Sequence, residues 1–262
     1  MLTIVVCIKQ VADPEAPISL FQISPEGNKI IPPPGMPPVL STFDENALEA
    51  ALRIKDLQAA KVIVLSLGLK LAKPVLKKTL AAGADELIIL DDQQFERLGS
   101  YGTALILARA IKKIGNCDIV LCGRQAADTD AGQVGLGIAE ILQIPSITLA
   151  QKVEVVDEKV RVERLITDGY EIIEAAMPVL ITTSQEIGEL RYPSLKAIIA
   201  VKKMGVTVWK ADDLGIEIAP RRTKLLKLFV PERNTNCQMI EGASPEEIAE
   251  GLASVLDTKI VI

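Results

Sequence analysis

The stretch DIVLCGRQAADTDAGQVGLGIAEIL, Asp118 to Leu142, decides how the rest of this 262-residue chain is read. Asp118 to Cys122 is a short apolar run of strand character. After a loop of small and polar residues, Gly132 to Leu142 resumes at helical spacing, with Val134, Ile138, Ile141 and Leu142 on one face. Strand, loop and helix in this order form the repeating unit of an open parallel sheet. Ligands bind such sheets where strands end and helices begin, because unpaired N–H groups and the positive end of the helix dipole meet there. The loop has the chemistry for a phosphate. Gly123, Gly132 and Gly135 let backbone approach a ligand, Arg124 brings a permanent cation, and Gln125, Thr129 and Gln133 offer neutral hydrogen bonds. Asp128 and Asp130 oppose a phosphate unless they point away, cap the helix or meet a hydroxyl or cation, so they are expected to serve the loop or a ribose. An ordinary strand-to-helix connection with an Asp N-cap accounts for the same residues, and the loop matches neither GxGxxG nor the P-loop pattern.

Upstream, Leu2 to Lys9 reads as a buried strand, leaving into a proline-rich passage that ends at Ser41. Within it IIPPPGMPPV, Ile30 to Val39, is extended, because proline lacks a donor and restricts its predecessor. Asp44 is expected to cap a helix whose inner face carries Ala47, Ala51 and Ile54. Lys61 to Leu67 follows as a strand, then a helix ending near Ala82 with Gly83 as its stop, then the strand Glu86 to Leu90. Ser100 to Lys113 is the next helix, with Leu105, Ile106, Ala108, Ile111 and Ile114 inward. Thr103 in its first turn either bonds its own backbone or meets a ligand. This alternation demands right-handed crossovers and a mostly parallel sheet covered on both faces: an α/β, doubly wound fold.

Downstream of Pro145 the period changes. KVEVVDEKVRVERLIT, from Lys152 to Thr167, alternates apolar and polar residues around Asp157-Glu158-Lys159, as an antiparallel hairpin does; Tyr170 to Glu174 and Val179 to Thr183 continue as strands. Arg191 to Val201 reads as a turn and helix, with Pro193 suited to the first helical turn. By spacing alone Leu195 reads as helix core. Beyond about Gly215 the rhythm is lost: PRRTKLLKLFVPERN is a basic arm, SPEEIAEGLASVL a capped helix, and KIVI the end. Residues 1–215 are therefore read as one nucleotide-binding α/β domain and 216–262 as an appended arm and helix, which grips a partner or docks on its own domain.

Composition narrows the function. The net charge is −5 with both signs interspersed, so neither nucleic acid nor an anionic membrane is an expected partner. No run reaches the ~18 apolar residues of a membrane span, and MLTIVVCIKQ lacks the basic start of a secretory signal, so a cytoplasmic protein without membrane insertion is expected. Cys7, Cys117, Cys122 and Cys237 form no CxxC pair and are read as reduced, with no metal site. The chain has no histidine, which removes Ser-His-Asp, Cys-His and most general-base chemistry at neutral pH. If it handles electrons, a cofactor must carry them.

The opening stretch resembles the nucleotide-binding signature of electron transfer flavoprotein beta subunits, which reads close to CGRQAIDGDTGQVGPQIAE. Five further stretches agree in order and spacing: IVVCIKQVAD at Ile4 to Asp13, FDENALEAALRIKD at Phe43 to Asp56, LAAGADELIIL at Leu80 to Leu90, VRVERLITDGYE at Val160 to Glu171, and RYPSLKAI at Arg191 to Ile198. The resemblance covers roughly residues 1 to 215. It implies an adenine nucleotide alpha-hydrolase-like fold with an added antiparallel hairpin region and a C-terminal arm contacting an alpha subunit that carries the electron-transferring FAD. It places cofactor contacts at Cys7, Ser41, Thr42, Phe43, Asp44, Leu67, Thr103, Gly123, Arg124, Gln125, Ala127, Asp128, Thr129, Asp130, Ala131, Gly132, Gln133, Val134 and Gly135. Partner contacts fall at Arg191, Tyr192 and Leu195, a turn that docks on a dehydrogenase.

The beta-site nucleotide is AMP in one branch of that family and a second, bifurcating FAD in the other. AMP-type members resemble DDDxNQTGQ here, whereas Asp128 to Gly135 reads DTDAGQVG, closer to the DGDTGQVG of the FAD branch. Gly132 for Asn and Val134 for Thr weaken a terminal monophosphate site and leave room for a bridging diphosphate. The resemblance thus implies FAD, with AMP as the alternative, NADH as a donor, ferredoxin as a second acceptor and an acyl-CoA or related dehydrogenase as electron partner. The chain departs from the pattern at Ser41-Thr42, where Asn-Pro is usual, and at Leu165 and Thr167, which replace acidic residues and put in doubt how this subunit tunes the flavin of its partner. A stand-alone adenine-nucleotide-binding module is the competing class, and the hairpin region and RYPSL speak against it.

Overall fold

Strands buried on both faces need continuous apolar runs, and the chain supplies them at Ile4–Cys7, Val62–Leu65 and Leu87–Leu90, all of them buried. The computed structural model describes residues 1–96, 98–216, 225–230 and 237–259. Among the described residues nine strands form one sheet: β1 (Leu2–Cys7), β2 (Ala60–Leu67), β3 (Glu86–Leu90), β4 (Ile119–Gly123), β5 (Ser146–Val156), β6 (Lys159–Ile166), β7 (Gly169–Ala176), β8 (Val179–Thr183) and β9 (Thr207–Trp209). Their spatial order is β7-β6-β5-β8-β4-β1-β2-β3-β9. Every neighbouring pair from β5 to β9 is parallel, and β6 runs antiparallel between β5 and β7.

The helices are α1 (Thr42–Leu57), α2 (Lys73–Ala82), α3 (Ser100–Ile114), α4 (Val134–Leu142), α5 (Leu195–Val201), α6 (Ala211–Leu214) and α7 (Pro245–Lys259). Buried residues of α1, α2 and α5 pack with Ile4, Val6, Val62 and Val64 on one face of the sheet. Those of α3, α4 and α6 pack with Val5, Cys7, Ile63 and Leu65 on the other. Alternate residues of one strand thus enter two different cores, which makes the fold doubly wound. Because β1, β2 and β3 progress one way while β4 lies on the opposite side of β1, the chain reverses between β1 and β4, and a crevice opens there beyond the strand ends.

Several boundaries differ from expectation. The first strand stops at Cys7, and the hairpin is a three-stranded wing, since β7 pairs with β6 along its length, Leu165 opposite Tyr170. The proline-rich passage holds two short antiparallel pairs, Gln10–Val11 with Val39–Leu40 and Gln22–Ile23 with Ile30–Ile31. Strand β9 was invisible in the sequence because three residues are too few for a period; it extends the sheet beside β3. Pro193 is not in a helical turn: Ser194 is the N-cap of α5, its Oγ accepting the Ala197 N–H at 3.2 Å, and Pro193 precedes it. Of the expected arm, residues 217–224 and 231–236 lie outside the described residues, as does most of KIVI. The described part includes α7, before which Ser244 Oγ accepts the Glu247 N–H at 3.3 Å.

A candidate nucleotide cavity at the ends of β1 and β4

The carboxyl ends of β1 and β4 lie side by side, with Cys7 opposite Cys122 in register. Beyond them opens a cavity of about 510 Å³, within the range of small-molecule sites. Its floor is Cys7, Leu65, Leu67, Leu107 and Cys122, and its rim is the loop between β4 and α4 together with the start of α3. The Cys7 thiol is raised well above its ordinary value by its hydrogen bond with Cys122 and by burial, so this sulfur is neutral wall rather than a nucleophile. All four cysteines are free.

The walls include Cys7, Asp44, Leu67, Thr103, Gly123, Arg124, Gln125, Thr129, Ala131, Gly132, Gln133, Val134 and Gly135 of the residues singled out in the sequence. Others lie behind the loop. Ser41 is fully buried, and its Oγ accepts the Ala127 N–H at 3.3 Å. Phe43 supports the Arg124 guanidinium, whose carbon sits 4.6 Å from the ring centre. Thr42 does not line this cavity. It opens on a second, larger groove of about 1000 Å³ between α1, α2 and α5, shared with Arg191 and Tyr192.

Asp44 corrects an expectation. The N-cap of α1 is Ser41, and Asp44, inside the first turn, turns inward, because two strand ends leave donors that need an acceptor more than the helix does. Its Oδ2 accepts the Lys9 N–H at 2.8 Å and its Oδ1 the Gly123 N–H at 3.0 Å. Burial pushes its carboxyl up to about 7, against the lowering effect of those two donors. One side chain therefore ties the ends of β1 and β4 to α1.

The two loop aspartates are satisfied within the loop and its neighbours. Lys9 Nζ donates to Asp128 at 2.6 Å, and Gln125 Nε2 to Asp130 at 2.9 Å. Neither caps α4, whose N-cap is Gln133 without a side-chain bond. Arg124 consequently does not pair with them, and its Nε is buried with no hydrogen-bond partner among the described residues. The first turns of α3 and α4 both open on the cavity, and neither carries a side-chain cap. Gly132 adopts φ +61°, and an added Cβ there would meet Arg124 O in ordinary contact at 3.6 Å. An unpartnered guanidinium N–H and two uncapped helix starts suit an anionic ligand, while the Leu and Cys floor suits a flat apolar body. Sequence reading missed Lys9, Phe95 and Leu98 among the walls. Lys9 stands two residues beyond Cys7, so the strand-end rule could have found it; Phe95 and Leu98 come from a connection with no readable period. Among the described residues no group of His, Cys, Asp or Glu side chains could hold a metal ion.

On the far side of α1, the segment before α5 is exposed: Tyr192 at 94% and Leu195 at 73%, with Ile198 and Ile199 beside them. Leu195 is the first residue of α5 and belongs to no core, contrary to the reading from spacing. Arg191 is bound internally, to Glu49 through Nε at 3.0 Å and to Asp56 through Nη2 at 2.8 Å.

Residues 36–214 match the family model of the electron transfer flavoprotein domain. The chain is 39% identical to the electron transfer flavoprotein subunit beta of Thermoanaerobacterium thermosaccharolyticum and 36% identical to the caffeyl-CoA reductase-Etf complex subunit CarD of Acetobacterium woodii, in both cases across the whole of both chains. It is 32% identical, again over the whole of both chains, to the acryloyl-CoA reductase electron transfer subunit gamma of Anaerotignum propionicum.

Proposed function

Because the chain belongs to the beta-subunit family of electron transfer flavoproteins, we propose that it binds FAD in the cavity at the ends of β1 and β4 and works as a heterodimer with an alpha subunit. Electrons pass from NADH to an acyl-CoA dehydrogenase or related CoA-ester oxidoreductase, with bifurcation to ferredoxin. Two relatives bear the names of caffeyl-CoA and acryloyl-CoA reductase subunits, which supports that class of electron partner. Among the described residues no helix is long and apolar enough to cross a membrane, and a cytoplasmic location fits the soluble donors of this scheme.

The buried, unpartnered Nε–H of Arg124 carries the cofactor reading, since such a donor is costly until an anionic acceptor reaches it. Arg124 and the first turns of α3 and α4 would hold the diphosphate; Leu65, Leu67 and Leu107 would pack the apolar rings and exclude water. Bound flavin supplies the one- and two-electron chemistry that the protein's own side chains lack. Asp44 keeps the two strand ends in place beneath it, and Lys9 holds Asp128 away from the phosphates. Tyr192 and Leu195, exposed on the opposite side of α1, form the docking point for the dehydrogenase, and the arm with α7 contacts the alpha subunit.

Acid denaturation of the purified heterodimer, followed by chromatography of the released nucleotides, tests this reading. Two FAD per heterodimer and no AMP are expected. One FAD with one AMP overturns the FAD assignment and leaves a single-flavin carrier.

A further inference from the structure

Glu49 is an acidic residue on the third turn of α1, nearly inaccessible to water, and its bonds go to residues that present the exposed apolar segment. Its Oε2 accepts the Arg191 backbone N–H at 3.1 Å and the Arg191 Nε at 3.0 Å, and its Oε1 accepts Arg191 Nη2 at 3.1 Å. The same Oε1 accepts Arg53 Nε at 3.0 Å, one helical turn further on. Burial alone would raise this carboxyl, but the donors from Arg191 and Arg53 hold it below its ordinary value. Asp56 Oδ2 meets the same Nη2 at 2.8 Å, so the two carboxylates share that nitrogen. One turn earlier, Asn46 Nδ2 donates to Gly188 O at 2.6 Å, and Gly188, at φ +102°, packs against Arg53 so closely that an added Cβ would lie 2.9 Å from Nη2.

The segment from Gly188 to Arg191 is thus bound to α1 at both ends, and four residues later Leu195 stands 73% exposed. An exposed leucine reaches one position repeatedly only if its backbone is held, and of Tyr192-Pro193-Ser194 only Pro193 is even half-buried, so most of the hold comes from the bonds to α1. We propose that Glu49 is the positioning residue of this docking segment: through Arg191 it fixes where Tyr192 and Leu195 stand. The proposal rests on the docking reading given above.

Steady-state electron transfer from the heterodimer to its dehydrogenase tests it, with KM for the dehydrogenase and kcat measured separately. Glu49→Gln is nearly isosteric but loses the charge that holds the fork. It should raise KM about tenfold or more while leaving kcat and flavin content near wild type. In a Leu195→Ala background the same substitution should change KM by less than about twofold, because both act through one contact. Arg191→Lys, which keeps the charge and loses the fork, should reproduce the KM effect if Glu49→Gln folds poorly. A raised KM for Leu195→Ala with an unchanged KM for both Glu49→Gln and Arg191→Lys overturns this proposal and leaves the docking reading standing. An unchanged KM for Leu195→Ala overturns both.

Discussion

The Asp44 carboxylate accepts the Gly123 N–H at 3.0 Å, and this bond joins the first turn of α1 to the strand end from which the cavity loop departs. Since its carboxyl is raised to about 7 chiefly by burial, Asp44 binds a proton in the folded protein over a pH range in which the unfolded chain has released it. Stability from this group is therefore fully present below the unfolded value near 4 and falls as pH rises toward 7, by up to about 1.4 kcal/mol per pH unit. Denaturant unfolding between pH 5 and 8 should show this fall, and Asp44→Asn should remove it while lowering stability at pH 5 by about 1–3 kcal/mol through a mismatched donor. Identical pH slopes in the two proteins would show that Asp44 does not titrate in this range.

Gly123→Ala should be among the costliest single-methyl changes. An added Cβ would lie 2.6 Å from both Asp44 Oδ1 and the Phe43 carbonyl carbon, and 2.7 Å from Phe43 Cβ. Backbone in the middle of a buried junction has little room to yield, so a loss of about 1–3 kcal/mol is expected, read as a lowered thermal midpoint. A midpoint within a degree of wild type would mean that the junction is looser than these distances.

Arg124→Ala removes the cation without breaking an ion pair among the described residues, since the two loop aspartates are engaged by Lys9 and Gln125. Beta-site nucleotide affinity should fall about tenfold or more, as expected for loss of a charge-assisted bond of ~1.5–3 kcal/mol. Arg124→Lys should not restore it, because lysine lacks both the fork and the stacking on Phe43. Calorimetric titration of the nucleotide-stripped heterodimer measures both; unchanged affinity would assign Arg124 to its contact with Phe43 alone.

The double change Gly132→Asn with Val134→Thr should move the preference of the cavity from FAD toward AMP. Asn tolerates the left-handed conformation at position 132, and its Cβ would meet Arg124 O at an ordinary 3.6 Å. Thr at the start of α4 adds a hydroxyl beside the uncapped N–H groups. The ratio of FAD to AMP released on denaturation is the readout, and a variant that still releases only FAD counts against a role for these two positions.

Leu195→Ala should leave the thermal midpoint nearly unchanged, because an exposed side chain contributes within about 0.5 kcal/mol, while electron delivery to the dehydrogenase drops. A lowered midpoint with intact transfer would end the docking role of this residue.

Most of the fold was legible because strand and helix patterns are carried by runs longer than a period: Glu86–Leu90 and Val179–Thr183 have the bounds their apolar runs suggested, and α3 ends within one residue of them. What escaped were choices between partners. Asp44 sits in an acceptable capping place, and only the arrival of Gly123 and Lys9 from distant segments shows that it serves them. Leu195 has a spacing that fits a core, and only the position of α5 at the edge of its layer leaves it in water. Nothing beside Arg191 in the chain announces that Glu49 and Asp56 hold its guanidinium. Long-range pairing of this kind leaves no local trace in sequence.

The uncapped first turns of α3 and α4 have a thermodynamic consequence. A fold that leaves donors facing a cavity reaches its full stability only when a ligand fills it, so by mass action the proposed nucleotide would belong to the folding equilibrium as much as to the redox chemistry. At free nucleotide ~1,000 times its Kd the folded state gains about 4 kcal/mol. A subunit synthesised where nucleotide is scarce would be lost first to proteolysis rather than to inactivity, and its abundance in the cell would track its cofactor supply.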